Sequence, residues 1–193
     1  PAIRIEFDYS ILYNSERWLG ERLHLHEPLI GEIRLDHGIA PITATDVVIQ
    51  GAGKEVTSLV IAADAAYMFK TVFGAISSTK GITFNDVNIN HADDSTSQGI
   101  LIENTSATGR INVYLNRCSF ESDDGDSLHV DHAAAGAAIR VYAENCDFEG
   151  PVNFTVKNTD DKIRIKDSEL QGGLVTSADA VIMEILLHKC LVL

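Results

Sequence analysis

Only three cysteines occur in 193 residues, and none forms a CxxC pair, so the usual spacing of a zinc module is missing. Unpaired thiols favour a reducing compartment, or a virion assembled in the cytoplasm. Positive charge is also scarce: 15 Lys and Arg stand against 28 Asp and Glu, giving a formal net charge of −13. That balance opposes nonspecific binding to nucleic acid or anionic membrane, and no basic stripe offsets it. It also opposes a strongly anionic polysaccharide unless calcium bridges the two. No apolar run approaches the ~20 residues that a bilayer-spanning helix needs, and no charged-then-apolar leader opens the chain, so membrane insertion is not expected. The start at Pro1 fits Met removal or a boundary inside a longer sequence.

What is present is a repeat. Hydrophobic residues make up 45% of the sequence, enough for one continuous core. Many follow one spacing: an aliphatic residue, another two on, a small or thiol residue three further, and usually a last apolar residue two beyond. Val47-Ile49-Ala52 begins the series. Ile82-Phe84-Val87-Ile89, Val113-Leu115-Cys118-Phe120, Val141-Ala143-Cys146-Phe148, Ile163-Ile165-Ser168-Leu170 and Ile185-Leu187-Cys190-Val192 continue it. The last starts, Val141, Ile163 and Ile185, are 22 residues apart, too close for a strand, crossover helix and second strand, which take about 30 or more.

Positions two apart on a strand share a face, so the first two members point inward together and the three-residue gap holds a turn. The turn pairs are polar: Asn85-Asp86, Asn116-Arg117, Glu144-Asn145, Lys166-Asp167 and His188-Lys189. Second strands are expected at Leu59–Ile61, Ile100–Ile102, Leu128–Val130, Val152–Phe154 and Leu174-Val175, following turn formers such as Asp93-Asp94-Ser95 and Asp123–Asp126. The chain is therefore expected to coil, with its longest loops on one side of the stack, often the binding side of such architectures. Residues 1–45 fall outside the repeat and read as a cap and entry segment, with helical spacing over Ser15–Leu23 ahead of Pro28; residues 46–193 read as the coil. The sequence stops on the apolar stretch Ile185–Leu193. Either a partner, in a homo-oligomer or larger assembly, or further chain is expected to cover that end.

The phrases Ile82 to Ile89 (ITFNDVNI), Val113 to Phe120 (VYLNRCSF) and Val141 to Phe148 (VYAENCDF) resemble rungs of the pectin-lyase-like right-handed parallel β-helix superfamily. Val47 to Val60, VVIQGAGKEVTSLV, resembles an early rung with a glycine-bounded turn. The resemblance covers about residues 46 to 193 and rests on a repeat. It implies an all-β fold, a single-stranded right-handed parallel β-helix of about six rungs. It does not select an activity, since that superfamily holds lyases, hydrolases, epimerases, phage tailspikes and non-catalytic adhesins.

Several residues are candidates for chemistry. Cys118, Cys146 and Cys190 share one inward slot with Val87 and Ser168, and read as buried small fillers, with no metal site expected. Asp123, Asp124 and Asp126 are the catalytic candidates, because a glycosidase needs two carboxylates held several ångströms apart. Their segment, DDGDSLHV, is similar to acidic segments entering strands in polygalacturonase-type enzymes. Asp93, Asp94, Asp123 and Asp124 carry the alternative of calcium, and ordinary turn chemistry explains all of them equally. The polygalacturonase-like letters Asn158-Thr159-Asp160-Asp161 and Arg164-Ile165-Lys166 are compressed into nine residues with no G-H-G, and cannot form that site. Arg110, Arg140 and Arg164 are the bases a lyase would draw on, with nothing to select one.

Tyr114 and Tyr142 should stack on consecutive rungs beside Arg164, as a surface for sugar rings, a subunit contact, or plain sheet stabilisation. Gly51-Ala52-Gly53-Lys54 fails as a phosphate loop, because Glu55 stands where Ser or Thr should hold magnesium. His24-x-His26 and His129-x-x-His132 lack a third ligand. Two functions follow. The first is a non-catalytic structural or adhesive protein, a virion or cell-surface component that self-associates or binds polysaccharide. The alternative is a polysaccharide hydrolase or lyase working through the acidic turns.

Overall fold

The computed structural model describes residues 3–6, 31–35, 39–42, 46–61, 67–73, 78–91, 98–106, 108–121, 125–132, 137–178 and 184–193. All their regular structure is β, in three parallel sheets. The first sheet runs β1 (Ile3–Glu6), β4 (Val47–Gln50), β7 (Thr79–Asn85), β10 (Arg110–Asn116), β13 (Ala138–Glu144), β16 (Lys162–Lys166) and β19 (Glu184–His188). The second runs β2 (Gly31–Leu35), β5 (Thr57–Ile61), β8 (Asn88–His91), β11 (Ser119–Glu121), β14 (Asp147–Phe148), β17 (Glu169–Leu170) and β20 (Leu191–Val192). The third runs β3 (Ile39–Ile42), β6 (Tyr67–Phe73), β9 (Gln98–Asn104), β12 (Leu128–His132), β15 (Val152–Val156) and β18 (Leu174–Ala178). Each sheet takes every third strand, so the chain visits the three in turn and each circuit stacks on the one before.

The spacing pattern is the cause. In β10, Ile111, Val113 and Leu115 are buried while Asn112 and Tyr114 face out. Register then lays like on like: Val113 lies between Ile82 and Val141, and Leu115 between Phe84 and Ala143. Phe120 stacks on Phe148 at 5.0 Å between centroids with planes 1° apart, and Phe69 meets Phe84 edge-on at 5.1 Å. Such pairs add about 0.5–1.5 kcal/mol beyond the area they bury.

The corner between the first and second sheets is a tight turn whose second residue adopts a left-handed conformation. These are Asp86 (φ 57°), Arg117 (54°), Asn145 (56°), Asp167 (49°) and Lys189 (54°). Asp and Asn tolerate this region; Arg and Lys pay a penalty of about 1–2 kcal/mol. Each turn amide reaches the next circuit: Asp86 N–H donates to Asn116 O at 3.0 Å, Arg117 to Glu144 at 2.9 Å, Asn145 to Lys166 at 3.1 Å and Asp167 to His188 at 2.9 Å. The backbone ladder thus runs through the corner and holds the turn in its strained shape.

Three sequence expectations change. Ala52 does not fill the inward slot. Ser58 pairs with Asn88, so the buried Thr57 takes the place corresponding to Val87, and residues 51–56 are an insertion at the corner. Thr57 Oγ1 accepts the Ala52 N–H at 2.9 Å, and a Cβ on Gly51 would lie 2.1 Å from Asp86 O, so only glycine passes. For the same reason Leu59–Ile61 belongs to the second sheet, beside Ile89, rather than to the third with Ile100. Of residues 1–45, the described segments join the stack: β1 pairs with β4, β2 with β5 and β3 with β6. The helix expected over Ser15–Leu23 lies outside the described residues. At the far end, inward positions that are sealed one circuit earlier are open, with Ile185 45%, Leu187 38% and Val192 49% exposed against 0% for Ile163.

The corner between the third and first sheets is closed by a buried carboxylate. Asp161 Oδ1 accepts Ile139 N–H at 2.8 Å, and Oδ2 accepts Lys157 and Asn158 N–H at 3.0 and 2.9 Å. The equally buried His132 Nδ1 lies 3.1 Å from the same Oδ2. Asp161→Ala removes the acceptor of the buried Ile139 amide and of the part-buried Lys157 and Asn158 amides and leaves the buried His132 without this carboxylate, so we expect a loss of about 3–5 kcal/mol. Urea unfolding followed by circular dichroism checks this, with the exposed Asp160→Ala as the neutral comparison.

Candidate functional site

On the outer face of the third sheet, Asp126 precedes β12 and its Oδ2 lies 2.6 Å from His129 Nδ1. His129 shares its row with Leu101 and Asn153, and the Lys70–Glu103 ion pair, 2.6 Å, lies on the same face. Of the catalytic candidates, Asp126 is thus an oriented carboxylate on a histidine; Asp123 and Asp124, like the calcium candidates Asp93 and Asp94, lie outside the described residues. His129 and His132 are an odd number of residues apart on one strand, so one faces out and the other is sealed against Asp161. They cannot share a metal ion. Among the described residues, no group of three or more His, Cys, Asp or Glu side chains is placed to hold one.

The outer face of the first sheet carries the aromatic candidates. Tyr114 and Tyr142 are register partners, and Arg164 pairs with Tyr142 one strand on. The rings stack 5.2 Å apart with planes 14° from parallel. Strands in a sheet are about 4.8 Å apart, so rings stacked at that spacing stand on edge and use their faces on each other. The pair therefore offers edges and hydroxyls, and the flat platform expected for sugar rings is not there. Arg164 is clasped by Glu184, which accepts from its Nη2 at 2.6 Å and from Lys162 Nζ at 2.5 Å. Two cations on one carboxylate hold Glu184 down to about 2, with the Lys162 hydrogen bond the larger cause and Arg164 the next.

Arg110 and Arg140 lie on this same face, Arg140 opposite Asn112 and Arg110 two residues before it. Their Nε atoms and Asn112 Oδ1 are covered and have no hydrogen-bond partner. Sequence spacing placed the three arginines at different repeat positions; register shows that they nevertheless share one face, because even offsets along a strand keep the side.

At the first corner the outward side chains form ladders of their own. Gln50, Asn85 and Asn116 link amide to amide, at 3.1 and 2.8 Å. Arg117 grips Asp86 with Nε and Nη2 at 2.6 and 2.7 Å and holds its carboxyl below the usual range. Lys166 bonds Glu144 at 2.5 Å. Lys54, from the glycine-bounded insertion, pairs with Asp147, so that segment's cation is engaged in bracing rather than awaiting phosphate. Inside the corner, Cys118 and Cys146 are sealed, and burial pushes the Cys118 thiol up. All three cysteines are free, each thiol donating to a backbone carbonyl, such as Cys118 to Asn116 O at 3.4 Å.

No protein-family model matches this chain, and neither the curated proteins nor the solved structures include one with significant similarity to it.

The Glu184 clasp has a pH signature. Its folded carboxyl is depressed from 4.5 to about 2, so its stabilising effect is complete above pH 4.5 and is lost as pH falls towards 2. Carbon-detected NMR titration should place the Glu184 midpoint well below those of its exposed neighbours, and Arg164→Gln should move it back up. A midpoint near 4.5 in the wild-type protein would remove the clasp.

Proposed function

We propose that the chain is a right-handed parallel β-helix of the pectin-lyase-like kind, acting as a non-catalytic structural or adhesive rod, a component of a virion or cell surface that assembles with copies of itself. The observation that carries this reading is the use made of the outer faces. Amide, ion-pair and aromatic ladders run along the stack at Gln50–Asn85–Asn116, Asp86–Arg117, Tyr114–Tyr142, Glu144–Lys166 and Arg164–Glu184, each joining one circuit to the next. Ladders of this kind stiffen a rod along its axis, as cross-strand pairs stabilise any sheet. The open apolar positions of the last circuit, Ile185, Leu187 and Val192, favour burial under another layer of strands, whether further chain or a partner.

A second reading is favoured by one specific contact. Asp126 and His129 form an oriented acid–base pair on the outer face of the third sheet, the arrangement by which a polysaccharide hydrolase or lyase moves a proton. The two readings part on one assay. Incubated with a broad panel of neutral and acidic polysaccharides, with and without calcium, the rod releases neither new reducing ends nor unsaturated products. Cleavage that Asp126→Asn abolishes without unfolding the protein would instead assign it to the enzymes.

A further inference from the structure

The chain is strongly acidic as a whole, yet its charge is unevenly divided between two flanks. From β10 to β19 the outward positions of the first sheet hold five cations, Arg110, Arg140, Lys162, Arg164 and Lys166, against two carboxylates, Glu144 and Glu184. Among the described residues, the side chains of Arg110 and Arg140 have no ion pair. The second sheet shows the reverse. Among the described residues, Glu121, Asp147 and Glu169 face outward there, the exposed Glu149 follows β14 directly, and Lys54 pairs with Asp147. A shallow depression bounded by Asp147, Asp167, Glu169 and Lys189 lies on that side, where the row turns towards the corner.

We infer that the cationic, tyrosine-bearing face of the first sheet packs on the acidic face of the second sheet of another copy of this chain, side by side. The inference rests on the self-associating rod proposed above and names the surfaces it uses. Charge complementarity is the first argument: opposite flanks of one molecule carry opposite local charge, although the net charge of −13 makes unguided contact repulsive. Composition is the second. Tyrosine and arginine are the residues most enriched at the centres of interfaces, and here Tyr114, Tyr142, Arg110 and Arg140 adjoin on one flat sheet. Size sets its strength. The first-sheet face, five strands at about 4.8 Å and up to seven residues at about 3.3 Å, is about 24 by 23 Å. On the second sheet β11, β14 and β17 have only 3, 2 and 2 residues, so the contact falls at the small, weak end of interfaces, below ~800 Å² per partner, where charge steers the pairing.

The contact joins two different surfaces, so it is heterologous, and copies related by it either close into a ring or continue as an open array. A saccharide is the weaker occupant, because the tyrosines stack on each other rather than lying flat as a platform for sugar rings.

The test is sedimentation velocity on the full chain and on two outer-face charge-reversal variants with wild-type circular dichroism. One is Arg110→Glu with Arg140→Glu; the other is Glu149→Lys with Glu169→Lys. The wild-type protein should associate, more weakly at high ionic strength. Each variant alone should raise the dissociation constant at least tenfold, and an equimolar mixture of the two should associate again, because the intact acidic face of the first variant then meets the intact cationic face of the second, as the two reversed faces also do. Association untouched by either variant would overturn the inference and move the contact to the open end of the stack. A wild-type protein that stays monomeric at millimolar concentration would also overturn it. So would a monomer that retains an acidic or neutral oligosaccharide through Arg110 and Arg140, which would give that face to a glycan. None of these outcomes bears on polysaccharide cleavage, so the non-catalytic reading stands or falls separately.

Discussion

Along the paired strands, each side chain sits beside the residue at the same position of the neighbouring circuit, about 4.8 Å away. That self-registration is the constraint on which the rest depends. An inward position must suit a neighbour of its own kind, which produces the aliphatic rows of Val47, Ile82, Val113, Val141 and Ile163, and the stacked Phe120 and Phe148. Where a row changes size, the next adjusts: Ala143 follows Leu115, two residues after Val141. The corner slot takes Thr57, Val87, Cys118, Cys146 and Ser168 in turn, small side chains that accept a backbone amide, as Thr57 does, donate to a carbonyl, as Cys118 and Ser168 do, or simply fill space.

The same rule is harsher outside, where identical charges stacked at that distance repel. Along the first corner the surface answers by alternation or by neutral amides. Asp86 is followed by Arg117, Glu144 by Lys166, and Gln50, Asn85 and Asn116 use an amide that both donates and accepts. Like-charged neighbours remain, such as Arg140 beside Lys162, whose ammonium Glu184 meets, and Asp147 beside Glu169, where Lys54 meets Asp147. Surface chemistry that elsewhere would mark a binding site is here first a condition of stacking, and this is why a scaffold role has the stronger claim on it.

The spacing of apolar residues made the strands, the polar corner pairs and the stacking of Tyr114 on Tyr142 legible from sequence, because each is a consequence of period and parity. It could not show the insertion at residues 51–56, since Ala52 fits the small slot as well as Thr57 does and only register decides between them. The short apolar pieces in residues 1–45, such as Ile3 and Ile5, gave no repeat to find, although β1 to β3 join the sheets. Asp161 looked like a turn residue; its burial against His132 and three amides depends on segments brought together only by the fold. The ring orientation of the tyrosines was likewise beyond the pattern, since parity gives the face of the sheet and not the torsion about the side chain.

Hydrogen exchange of individual amides, read by NMR, tests the central claim most directly, because in this architecture the amides of the corner turns are bonded to the following circuit rather than within the turn. The account predicts slow exchange for Asp86, Arg117 and Asn145 N–H, comparable to β10 and β13 on either side, with protection falling towards β19 and β20, whose outer edge is unpaired. Fast exchange at those three turn amides beside protected strands would contradict continuous, in-register stacking through the corner.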